Sequence, residues 1–232
     1  KINRCGAEML NIISKCLLPD DANKVFKNVT QYLTDANSDE RSEAEKELDN
    51  DIAENSIHAL KKILRKYKSI SFDDADEITK RLFGELGGIR GLPTSIEQIE
   101  DPETYVFSYI KTFIIRFNKN ANYKNKIHFY IKSLMRMSDI IDNEVLPLLL
   151  DPIEAAIDNK ILPDEDVYKF LEHITSMIDV EDSDITTSLL TAITSIVRSY
   201  IQVVDIPKMI NLLNFLWDNV DETEEDGVER IA

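Results

Sequence analysis

DVYKFLEHITSMIDV, residues 166–180, places apolar side chains at Val167, Phe170, Leu171, Ile174, Met177 and Ile178. Steps of three and four return to one face of an α-helix, whereas a half-buried strand alternates with period two. The same rhythm recurs outward along the chain. Ile2, Cys5, Met9, Ile12, Ile13 and Cys16 mark one face, and Ala22, Phe26, Val29 and Leu33 a second. Leu48, Ile52, Ile57, Leu60, Leu64 and Tyr67 mark a third, on a helix expected over 39–68. Met209, Ile210, Leu213, Leu216, Trp217 and Val220 close the series. No stretch alternates convincingly, and 6 glycines and 7 prolines in 232 residues supply few turns. The pattern is that of an all-α protein.

Punctuation residues divide the pattern. In SFDDADEITKRLFGEL, Asp73 or Asp74 reads as an N-cap, with acids in the first turn where the helix dipole favours them. Asp-Pro at 101–102 and 151–152 and Leu-Pro at 162–163 read as helix starts with proline in the first turn. Helices are then expected over 102–118, 122–142, 152–159, 164–179, 183–204 and 206–219. GELGGIRGLP, 84–93, holds four of the glycines and a proline and is the one strong break. The expected organisation is an N-terminal helical module over 1–86, a linker over 87–101 and a C-terminal helical module over 102–232. Some ten helices joined by short linkers, with pairs recurring near every 40 residues, resemble the HEAT and armadillo families in helix length and rhythm. The resemblance implies an α-solenoid of stacked antiparallel helix pairs, with a compact helical bundle as the alternative.

The composition excludes several classes. There is no apolar run of 18 residues, so no membrane span is expected. Cys5 and Cys16 stand eleven residues apart, roughly 16 Å along a helix, beyond disulfide reach. Both read as small core hydrophobes, and the compartment as cytoplasm or nucleus. The pattern is already under way at Lys1, so a longer polypeptide is expected. His58, His128 and His173 lack ligand spacing, and the glycine cluster lacks the Gly-Lys-Ser/Thr ending of a phosphate loop. DVEDSD (179–184) and DETEED (221–226) lack the EF-hand spacing and glycine. No catalytic, cofactor-binding or metal residue is expected, no cofactor, and no enzymatic activity.

Charge is the informative feature. The chain carries a formal net charge of −16, yet Tyr105–Arg136 holds seven Lys or Arg, eight Phe or Tyr and no acid. Three explanations compete for this island. Its aromatics (Tyr105, Tyr109, Phe113, Phe117) can form core while its bases pair with acids of neighbouring helices. Its bases and exposed tyrosines can form a groove for an acidic or phosphorylated segment. Or they can hold nucleic-acid backbone or anionic lipid, which the surrounding acids disfavour. The candidate partner-binding residues are Lys111, Arg116, Lys119, Tyr123, Lys124, Lys126, Lys132 and Arg136, with Lys119, Tyr123, Lys124 and Lys126 forming a helix–helix tip. A second basic stretch, HALKKILRKYK at 58–68, follows eight acids over 39–54 and reads as complementing the dipole of one helix.

The expected function is a non-enzymatic protein–protein interaction module of a scaffold, adaptor or transport-receptor kind. The acidic C-terminal half implies basic partners, and the island an acidic one. The alternatives are a helical regulator of a GTPase or kinase, with Arg90 as its exposed arginine, and phosphate-backbone binding through 105–136.

Overall fold

The computed structural model describes residues 4–35, 43–83, 103–138, 145–178 and 183–221. The break at 84–93, the linker over 87–101, Arg90 and the greater part of both acidic runs lie outside them. The described residues form α-helices and two 3₁₀ turns, with no strand among them. In order these are α1 (Arg4–Ile13), α2 (Pro19–Asp35), α3 (Glu43–Lys66), α4 (Phe72–Phe83), α5 (Glu103–Phe117) and α6 (Lys124–Met137). After them come α7 (Leu146–Asp158), α8 (Asp164–Ser176), α9 (Ser183–Ser199) and α10 (Ile206–Asp221).

The odd-numbered helices pack side by side in chain order, α1 on α3, α3 on α5, α5 on α7 and α7 on α9. Four even-numbered helices pack against this row as a second layer, α2 against α3 and α4, α4 against α5, α6 against α7 and α8 against α9. One cluster of buried side chains runs from Ala22 through Phe107, Phe113 and Ile131 to Tyr200, on both sides of the 84–102 segment. The expected inner faces are buried on most helices: Ala22, Phe26 and Val29 on α2, and Ile52, Ile57, Leu60 and Leu64 on α3 with Tyr67 just beyond it. Val167, Phe170, Leu171 and Ile174 do the same on α8.

The end helices depart from the expectation. On α1 the buried stripe is Ala7 and, just beyond the helix, Ser14, with Leu10 half-buried between them; Met9, Ile12 and Ile13 are exposed, Ile12 by 75%. Cys5 and Cys16 are free and exposed rather than core. α1 carries two candidate faces, and the one with small side chains lets its backbone approach α3 closely. On α10, Ile210 and Leu213 are likewise exposed, while Met209 and Leu212 pack toward the core.

Three boundaries also move. Ser71, not Asp73 or Asp74, caps α4: its Oγ accepts from the Asp74 N–H at 3.1 Å and donates to the Asp74 carboxylate at 2.8 Å, a reciprocal cap. α7 starts at Leu146 and runs through Pro152, because the continuous stripe Leu146, Leu149, Leu150, Ile153 outweighs the one backbone bond proline removes. α9 ends at Ser199, and the 3₁₀ turn Ile201–Val203 separates it from α10.

Hydrogen bonds stitch each odd helix to the next at recurring separations. Tyr67 Oη donates to the Leu17 carbonyl (2.6 Å, 50 residues apart), and Lys62 and Lys66 donate to the carbonyls of Asn11 and Lys15. Arg116 does the same at the end of α3, 49 residues from Tyr67. Further along, Arg198 reaches Asp158 and Tyr200 reaches Leu162, at separations of 40 and 38.

Candidate partner-binding surface

The island Tyr105–Arg136 becomes α5, the 3₁₀ turn Ala121–Tyr123 and α6. Its aromatics are mostly core. Phe107, Tyr109 and Phe113 are fully buried, and burial drives the Tyr109 hydroxyl well above its ordinary pKa. Tyr123 stacks on Phe72 with ring centroids 3.8 Å apart and planes at 5°. Phe117 meets Phe72 edge-on at 5.2 Å, and Phe113 meets Tyr130 at 6.0 Å. This stack and these edge contacts fix the α5–α6 hairpin against α4. Among the described side chains Phe129 is the exception, 65% exposed.

Most of the bases are also engaged internally. The Arg116 guanidinium donates to the carbonyls of Leu64, Tyr67 (2.8 Å) and Ile70 (3.1 Å), closing the C-terminal end of α3. Lys126 pairs with Asp76, which is 1% exposed and also accepts from Tyr130 Oη at 2.7 Å and pairs with Lys80 at 3.0 Å. The buried carboxylate rivets α4 to α6. Burial, then the hydrogen bond to Asp76, raises the Tyr130 pKa. Lys111 pairs with Asp151 of α7 at 2.5 Å.

Lys119, Lys124 and Arg136 are exposed and make no ion pair among the described residues. The proposed tip therefore divides. Lys119 and Lys124 face solvent, while Lys126 and Tyr123 are tied to Asp76 and Phe72.

A groove between α6 and α8 gathers the rest. It has a volume of about 360 Å³ and is lined by Lys132, Met135, Arg136, Asp166, Lys169, Phe170 and His173. Asp166 sits between Lys132 (2.9 Å) and His128 (2.7 Å). Burial works against its charge, but the hydrogen bonds from Lys132 and His128 prevail and hold the carboxyl below its ordinary pKa. Lys169 reaches Glu165 at 2.6 Å across one exposed helical turn, an interaction worth little in water. Phe129 stands one turn before Lys132 on the same face of α6. Lys132 and Arg136 were candidates from the sequence; Lys169 and His173 were not. They lie in an acidic stretch, and only the placement of α8 beside α6 brings them to Arg136.

Among the described residues, no group of three or more His, Cys, Asp or Glu is placed to hold a metal ion. No helix among them is long and apolar enough to cross a membrane. No protein-family model matches the chain, and no curated protein or solved structure shows significant similarity to it.

Proposed function

We propose that this chain is a non-enzymatic protein–protein interaction module, an α-solenoid segment that binds an acidic or phosphorylated segment of a partner in the groove between α6 and α8. The observation that carries the reading is the groove itself, where Lys132, Arg136, Lys169 and His173 line one cavity with Asp166, a carboxylate already engaged by Lys132 and His128, while Lys169 pairs with Glu165 along its own helix. An exposed phenyl ring beside such a cluster supplies apolar anchorage while the bases steer an anion. A solenoid reading is supported by the side-by-side order of the odd helices and by cross-links recurring at 49–50 residues and then at 38–40. Each helix pair then repeats the contact made by the one before it.

The test is fluorescence anisotropy with labelled acidic and phosphoserine peptides, on the unaltered chain and on Arg136→Glu/Lys169→Glu. Both side chains lie on the surface, so melting should stay nearly unchanged while affinity falls about tenfold or more. Equal binding by the double variant overturns the assignment to this groove. Lys126 is left out of the variant, because reversing it would set two negative charges together at buried Asp76.

A further inference from the structure

The other basic stretch, 58–68, gives a different surface. Leu60, Ile63 and Leu64 turn into the core, which leaves Lys61, Lys62 and Arg65 on the outer face of α3 within little more than one turn. Lys61 reaches one neighbour, donating to Ser108 Oγ of α5 at 3.0 Å, and Lys62 the other, donating to the Asn11 carbonyl at the end of α1. Lys111 of α5 and Lys15 just past α1 extend the cations to both sides.

These groups press on one another. Burial first, then the charges of Arg65, Lys62 and Lys111, hold the Lys61 ammonium below its ordinary pKa; Asp151 acts in the other direction. Lys62 is lowered by burial and by Lys15. The dipole of α3 explains bases in its own last turn. It does not explain why α1 and α5 deliver further cations to the same place.

We propose that the outer face of α1, α3 and α5 is a second binding surface, for an acidic peptide whose Asp and Glu side chains lie across Lys15, Lys62, Lys61 and Arg65, with Lys111, already paired with Asp151, at its edge. It stands independently of the α6–α8 groove. Neighbouring helices pack about 8–10 Å apart, so three of them span about 20 Å. An extended chain covers that in about six residues, with alternate side chains toward the surface. A longer polyanion is disfavoured on the same geometry. Past Lys111 the odd layer turns acidic at Asp151 and Asp158 of α7, and a nucleic-acid strand would run onto those charges. A short peptide ends before them. Ile115, exposed one turn beyond Lys111, offers an apolar contact at the edge.

Labelled hexaglutamate titrated with the full chain, read by anisotropy at low salt, tests this. Lys15→Glu/Arg65→Glu reverses two exposed side chains that make no ion pair among the described residues, so circular dichroism and melting should be preserved. Its affinity for hexaglutamate should fall about tenfold or more, whereas Arg136→Glu/Lys169→Glu should bind as the unaltered chain does. Undetectable binding by the unaltered chain overturns the proposal, and so does equal binding by Lys15→Glu/Arg65→Glu. Loss that follows Arg136→Glu/Lys169→Glu instead assigns the peptide to the groove. A labelled oligothymidylate of equal charge that binds tighter than hexaglutamate overturns the choice of a peptide. Lys61→Gln, which removes one central charge without reversing it, should give a smaller loss in the same direction.

Discussion

Arg65 and Arg116 occupy the last turns of α3 and α5, two neighbouring helices of one layer, and they do opposite things. Arg116 turns in and donates to three carbonyls at the end of α3. Arg65 stays in solvent beside Lys61 and Lys62. The surrounding stretches are mixed. Most bases of 105–136 hold helices together; in 58–68, Lys61, Lys62 and Lys66 also donate to neighbouring helices, and Arg65 stands exposed among them. A base becomes structural when the neighbouring helix ends beside it with open carbonyls or a buried carboxylate. Where nothing is left to satisfy, it remains available to a partner.

Asp76→Ala should break this contrast most severely. It leaves Lys126 and Tyr130 without their buried acceptor and should cost about 3 kcal/mol in urea unfolding. A cost below about 1 kcal/mol would mean that Lys126 is as available as Arg65. Next comes the direct pair. Arg116→Ala should lose about 2 kcal/mol, since three carbonyls lose a charged donor, while Arg65→Ala should stay within about 0.5 kcal/mol. Equal costs would erase the distinction.

A smaller effect concerns the acids opposite Lys111. Burial, then the charges of Asp151 and Asp158, pushes the Glu154 carboxyl up to about 7, with Lys111 opposing. The folded chain therefore holds this proton more tightly than the unfolded chain. Stability from this group is full at acid pH and declines as pH rises through the interval from its ordinary value to about 7. Glu154→Gln should flatten that decline and gain about 1 kcal/mol near pH 8, after allowance for solvent screening. Thermal melts across pH 5–8 would reveal it, and parallel pH profiles for the two chains would refute it. Smallest of all, Lys119→Glu/Lys124→Glu should shift stability by less than about 0.5 kcal/mol, since both face solvent.

The helices could be read from the sequence because period and burial agree along α2, α3 and α8. The end helices could not be oriented that way. α1 offers both the Cys5–Met9–Ile12 face and the Ala7–Ser14 face, and only packing against α3 selects the smaller. Pro152 misled for a related reason, since a buried stripe overrides a local breaker. The island was visible as an absence of acids over 32 residues, but its partners were not. Asp76 lies 50 residues from Lys126, and no local pattern pairs them. For the same reason Lys169 and His173, in an acidic context, gave no sign that they would join Arg136.

The stitching bonds that end on backbone carbonyls have a direction. Lys62, Lys66 and Tyr67 close the end of α1, Arg116 closes α3, and Tyr200 holds the turn after α7. In each case the donor comes later in the chain than the group it satisfies. A ribosome adding about 5–20 residues per second leaves the end of α1 open for about 3–10 s before Tyr67 is made. The ends of α1 and α3 thus emerge with carbonyls uncovered and wait for the next odd helix. It is the nascent chain, not the finished one, in which these ends stand open.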